Sequence, residues 1–160
     1  MLIEAKVKVS RIIDSKTRKR TETYLVPDCE LFVNAEHIVM HHLSEEQESG
    51  LIENYEIQSL RISPIKEVCD QWLEDYTIGG DPAFIATLKD IWLTDDGTEK
   101  SIKYKVLLWA QSHGNALQRV QSLVREGYDM QIEGIKQVDY EYLVEQINQE
   151  EEESHEYTEN

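Results

Sequence analysis

Long apolar runs, clustered cysteines and glycine-rich phosphate loops are all missing from this sequence of 160 residues. No apolar stretch approaches the roughly 20 residues that cross a bilayer, and the charged N-terminus lacks the apolar core of a signal peptide. The only cysteines, Cys29 and Cys69, have no CxxC spacing, which favours reduced thiols. We therefore expect a soluble cytoplasmic protein that does not bind membranes.

Catalytic signatures are also missing. The sequence contains no P-loop, no GxGxxG fingerprint and no GxSxG nucleophile elbow, and neither cysteine lies in a recognisable Cys/His pattern. The motif elements of a restriction-type nuclease are present at Glu4, Lys6 and Pro27-Asp28, but they come in the reverse of that family's order. Glu4 and Lys6 also fit the solvent side of a strand. We predict a protein that is not an enzyme, with no catalytic residues and no cofactor.

The segment "NAEHIVMHHL", residues 34–43, contains three histidines and raises the question of a metal site. His37 and His41 are one helical turn apart, a spacing that can hold zinc, but a site also needs a third ligand and supporting partners. His42 falls instead in the apolar stripe of the same helix. We expect a solvated helix flank and no metal site.

The net charge of −16 argues against general binding to nucleic acid or anionic lipid. The charge is unevenly distributed, however. A basic patch is predicted in the first hairpin, with the candidate residues Lys6, Lys8, Arg18, Lys19 and Arg20. The tail 148–160 is acidic and predicted to be disordered, with candidate partner-binding residues Glu150, Glu151, Glu152 and Glu153.

Hydrophobic periodicity predicts a mixed α+β fold. Residues 2–26 alternate as two strands of a hairpin, and the spacing from Val33 to Gln47 predicts a helix that Gly50 ends. A strand with a slip after Ile57 follows. The next segment has a short predicted helix over 67–76, and a loop is indicated after it by Gly79, Gly80 and Pro82.

The same order then recurs: strand, turn, strand, helix 113–126 with Ser112 as its N-cap, and a closing strand. Local identities support a duplication, since "EIQSL" at 56–60 lies over "QIEGI" at 131–135. We predict two tandem ββαβ units that form antiparallel sheet with the helices on one face. The predicted boundaries are 1–66 for the first unit, 67–83 for a linker, 84–147 for the second unit and 148–160 for the tail.

"LIEAKVKV" and "TETYLVPDCELFVNAEHIV", residues 2–9 and 21–39, carry a resemblance to a known family. The chain resembles an uncharacterised domain-of-unknown-function family of Bacteroidetes and their bacteriophages and prophages, through Lys6-Val7, the strand from Thr21 to Val26, and Asn34-Ala35-Glu36. The match is good in the first half and an outline in the second. The resemblance implies a phage or mobile-element setting and assigns no functional residues.

Our leading hypothesis is a non-enzymatic protein-binding or adaptor protein with an unidentified protein partner. The hypothesis includes a homodimer as one possible oligomeric state. Trp72 and Tyr76 of the linker, with the acidic tail, are its candidate contacts. Three alternatives stay open: an acidic inhibitor that imitates nucleic acid, a protein that sequesters a small ligand or nucleotide between the halves, and a nucleic-acid binder acting through the basic hairpin.

Overall fold

The computed structural model describes residues 1–73, 80–125 and 130–143. These residues form two four-stranded sheets and two α-helices, which confirms the predicted α+β class. In chain order the elements are β1 (Ile3–Ile13), β2 (Lys16–Val26), α1 (Phe32–Glu48), β3 (Ile52–Ile62), β4 (Ile65–Val68), β5 (Ala83–Leu93), β6 (Glu99–Trp109), α2 (His113–Arg125), β7 (Met130–Val138) and β8 (Tyr140–Tyr142).

Sheet 1 has the strand order β3-β1-β2-β8 and carries α1 on one face. β1 and β2 form a hairpin whose turn residues, Asp14 and Ser15, both have positive φ, as a type I′ turn requires. Because side chains alternate along a strand, every second residue of β1 faces the helix. The core between sheet and helix includes Ile3, Ala5, Val7, Val9, Tyr24, Val26, Ala35, Val39 and Leu43.

Sheet 2 has the order β4-β6-β5-β7 and carries α2. The hydroxyl of Ser112 accepts a 3.1 Å hydrogen bond from the backbone N–H of Asn115, which confirms the predicted N-cap of α2. The core of this unit includes Phe84, Ala86, Leu88, Val106, Leu108, Ala110, Ala116 and Val120.

The two units match position by position. Ala35 and Val39 are buried in α1 as Ala116 and Val120 are in α2. β3 carries two extra residues against β1, Gln58 and Glu53, and β7 carries one against β5, Glu133, at the place that corresponds to Gln58. Copying one ββαβ module, bulge included, would produce this agreement. The slip predicted after Ile57 is confirmed.

Each unit takes its fourth strand from the chain that follows the other unit. β4 follows β3 but pairs in parallel with β6, and β8 follows β7 but pairs in parallel with β2. The backbone N–H of Cys69 donates to Leu107 O at 2.9 Å, and that of Leu143 donates to Leu25 O at 3.0 Å. Both side chains are buried in the core of the sheet that they join. We call this arrangement the strand exchange.

The strand exchange corrects the predicted boundaries. Unit 1 combines Met1–Ser63 with residues 140–143 and is therefore discontinuous, whereas unit 2 is the continuous segment Pro64–Asp139. Each sheet also contains one parallel pair instead of being wholly antiparallel. Strands of four and three residues are too short to show a periodicity, and nothing local in the sequence indicates a partner so far away.

The linker also differs from its prediction. In place of a helix from residue 67, β4 is followed by a 3-10 turn at Asp70–Trp72. The end of that predicted helix, and the tail 148–160, lie outside the described residues. None of the helices in the described part of the chain is long and apolar enough to cross a membrane.

Candidate binding groove

Three lysines project from the face of sheet 1 opposite α1. Lys6 and Lys8 alternate along β1 with core residues, and Lys19 lies on β2 opposite Ser10. All three lysines are exposed, and none forms an ion pair within residues 1–73, 80–125 and 130–143. Their ammonium groups are therefore free to contact a partner.

A depression of about 460 Å³ lies among these side chains, and we call it the lysine groove. The side chains that face it are Lys8, Ser10, Lys19, Thr21, Asn54 and Glu56. Ser10 is only 5% exposed and forms the floor. The short hydroxyl side chains in the middle of the sheet leave a hollow because the longer side chains rise around it.

The lysine groove offers hydrogen-bond donors in excess. Each lysine contributes three N–H donors and no acceptor, and Ser10, Thr21 and Asn54 can donate as well. This combination suits carboxylate groups. Glu56, opposite Lys8 in the register of β3 on β1, places one negative charge at the border. A continuous polyanion would meet that charge, whereas a short acidic segment can avoid it.

The predicted basic patch is thus divided between two faces. Lys6, Lys8 and Lys19 lie together on the open face, but Arg18 and Arg20 alternate onto the α1 face of β2. Arg20 Nε lies 2.9 Å from a carboxylate oxygen of Glu22. Sequence reasoning did not identify Asn54 and Glu56, because the bulge in β3 decides which of its residues face the groove.

An ionic network closes the end of the core beneath α1. The Arg11 guanidinium donates to both oxygens of Glu22, at 2.6 and 2.7 Å, and to Glu46 at 2.8 Å, while the Tyr24 hydroxyl donates to Glu22 at 2.7 Å. Burial alone would raise the pKa of Glu22, but the hydrogen bonds from Arg11 and Tyr24 outweigh it and hold that pKa below its usual value. The hydrogen bond to Glu22 in turn raises the pKa of Arg11. The network therefore has the features of a structural closure of this core.

The histidines of α1 are engaged within their own helix. His41 Nε2 lies 3.1 Å from Glu45, and His42 Nε2 lies 2.7 Å from Glu46. The ring of His42 packs against that of Tyr24, with centroids 5.6 Å apart. Among the described residues no three His, Cys, Asp or Glu side chains are grouped to hold a metal ion.

Trp72 was predicted to contact a partner. It packs against the core of sheet 2, with the Arg119 guanidinium 5.3 Å from its ring centroid, so much of its surface is used within its own unit. The other candidate contacts, Tyr76, Glu150, Glu151, Glu152 and Glu153, lie outside the described residues.

Comparison with known proteins yields one family. The profile of a family described as Domain of unknown function (DUF4494) matches residues 1–146. No curated protein and no solved structure matches the chain. The family description assigns no activity.

Proposed function

We propose that this chain, which belongs to the family described as Domain of unknown function (DUF4494), is a non-enzymatic adaptor that binds a short acidic segment of a partner protein in the lysine groove. The observation that carries the proposal is the convergence of Lys8, Lys19 and a polar floor on one concave, exposed site. The phage or mobile-element setting implied by the sequence resemblance is part of the proposal, as is a homodimer.

The charge of the whole chain favours a short acidic segment over nucleic acid. A molecule of net charge −16 repels a long phosphate backbone at distances beyond the groove. A peptide of a few residues is attracted locally by Lys8 and Lys19, because charges farther away than about 10 Å are screened at 0.1 M salt. Lys6, next along the same face, extends the site toward the N-terminal end of β1.

The proposal is tested by fluorescence anisotropy with a labelled peptide of four glutamates, which is a short acidic segment. We expect saturable binding at low salt that weakens steeply as salt is added, because the contacts are exposed charges. The double variant Lys8→Gln, Lys19→Gln should bind about tenfold more weakly.

The matched control is the double variant Lys16→Gln, Arg18→Gln. It removes the same charge from the same hairpin, but both residues alternate onto the α1 face and away from the groove. Its affinity should stay close to that of the unaltered chain. Equal losses in the two variants, or the absence of binding at low salt, would contradict the proposal. A single-stranded oligonucleotide that binds the groove more tightly than the peptide would favour the nucleic-acid hypothesis instead.

A further inference from the structure

A separate cavity, of about 470 Å³, lies inside unit 2 on the α2 side of sheet 2. Its lining residues are Lys66, Glu67, Leu88, Tyr104, Val106, Leu123, Val124 and Met130. The interior is apolar and aromatic, while Lys66 and Glu67 are exposed and stand at the rim. An apolar cavity of this size with a few polar groups at its border has the composition of a small-molecule site.

Unit 1 shows that the fold does not require this cavity. Val106 and Tyr24 occupy equivalent register positions, and so do Leu123 and His42 of the helices. The Tyr24 ring is fully buried against His42 in unit 1. Unit 2 has the aliphatic side chains of Val106 and Leu123 at these places, so the space that unit 1 fills with two rings stays open.

The rim of the cavity carries one charge of each sign. Lys66 Nζ lies 4.6 Å from the centroid of the Tyr104 ring, a cation–π contact that holds the ammonium group beside the opening. The register of β4 on β6 is irregular between Ile65 and Glu67, and both Lys66 and Glu67 line the cavity. Neither charge forms an ion pair with any residue that the structure describes.

We propose that unit 2 binds a small zwitterion with a large apolar group, of which the apolar α-amino acids are the simplest. The apolar group enters the space beside Val106 and Leu123. The carboxylate of the ligand pairs with Lys66 and its ammonium group with Glu67. A ligand with a single charge leaves one of the two rim charges without a partner, so the site discriminates against it.

Saturation-transfer difference NMR on the full chain tests this site, with L-phenylalanine, phenylacetate and phenethylamine as probes at about 10 mM, which detects weak binding. Phenylalanine should bind most tightly, because the other two each lack one charged group. Lys66→Gln and Glu67→Gln should each weaken phenylalanine binding about fivefold. Val106→Phe should abolish it, because the new ring occupies the place that Tyr24 occupies in unit 1.

Lys8→Gln, in the lysine groove, serves as the control and should leave phenylalanine binding unchanged. Val124→Phe is the second filling variant, used if the spectrum of Val106→Phe shows that it does not fold. Phenylacetate binding as tightly as phenylalanine would overturn the zwitterion assignment. Phenylalanine binding that survives in a folded filling variant, or that is not detected in the unaltered chain, would overturn the site itself.

Discussion

Glu22 illustrates how neighbours determine the state of a buried side chain. It is 8% exposed, yet it accepts hydrogen bonds from the Arg11 guanidinium and from the Tyr24 hydroxyl. A charge removed from water is tolerated only when such partners replace its hydration. Its pKa below the usual value records that the partners outweigh the cost of burial.

We predict that Glu22→Gln lowers the free energy of unfolding at pH 7 by about 2–4 kcal/mol, because it leaves the partly buried charge of Arg11 without its main partner. Arg20→Gln is the comparison: this side chain is 47% exposed, so losing its ion pair with Glu22 should cost less than about 1 kcal/mol. Urea unfolding followed by circular dichroism measures both.

The same variant makes the pH dependence testable. A carboxylate whose pKa is lower in the folded state stabilises the fold at pH values above its unfolded pKa of about 4.3, and that stabilisation is lost as the pH falls through the folded value. The difference in stability between the unaltered chain and Glu22→Gln should therefore shrink between neutral pH and about pH 3. A constant difference over that range would show that Glu22 is not the charged partner.

At the scale of the elements, the strand exchange makes short segments structurally important. Leu143 is buried in the core of sheet 1 although it follows β7, and Cys69 is buried in the core of sheet 2 although it follows β3. Burial raises the pKa of the Cys69 thiol to about 12, an effect to which nearby carboxylates add, so this cysteine is a core residue and not a reactive thiol.

We predict that Leu143→Ala destabilises the protein by about 2–4 kcal/mol, because it opens a cavity in the core of sheet 1. Gln137→Ala, near the exposed end of β7, should change the stability by less than about 0.5 kcal/mol. Thermal unfolding distinguishes them. Equal effects would mean that the last described residues do not complete unit 1.

Periodicity predicted the long elements well. The hairpin of 2–26 and the helices of 33–47 and 113–126 lie within a few residues of their observed bounds. Each combines a long regular pattern with a turn or cap of specific chemistry, such as the positive φ of Gly50 after α1. β4 and β8 were not predicted, because they carry no pattern of their own and exist only through pairing with distant strands.

The binding sites were predictable only in part. The alternation of Lys6 and Lys8 with valines indicated an exposed row of lysines, and the structure groups them with Lys19. One wall of the groove is formed by β3. Which residues of β3 face the groove depends on the irregular register of β3 on β1, and the sequence pattern does not give that register. The cavity of unit 2 depends on Val106 and Leu123, and its presence follows from comparison with the rings of unit 1.

At the scale of the whole molecule, we expect the negative charge of the acidic tail to weaken the binding of an acidic partner. The tail, residues 148–160, contains six Glu and no Lys or Arg. We predict that a chain ending at residue 147 binds the four-glutamate peptide several-fold more tightly at low salt than the full chain does, because the peptide meets less negative charge. At about 1 M salt the two chains should bind equally weakly. Equal affinity at low salt would show that the tail does not influence the groove.

The two units have kept one architecture while their side chains diverged. Unit 1 closes the space under its helix with Arg11, Glu22 and Tyr24 and presents lysines on the opposite face. Unit 2 leaves the corresponding space open. After a duplication, one copy can change while the other keeps the original role. The groove lies in unit 1 and the cavity in unit 2, so they are independent sites whose tests can succeed or fail separately.

Strand exchange also sets an order of events on the ribosome. β2 is synthesised early, yet the strand that pairs with its free edge, β8, is made only when residues 140–142 are translated. At about 5–20 residues per second, that edge waits for roughly 6–23 seconds while α1, β3 and unit 2 are being made. Unit 2 already contains all its strands once β7 has emerged. The N-terminal unit is thus begun first and completed last, and nascent chains are exposed to misassembly at β2 throughout that interval.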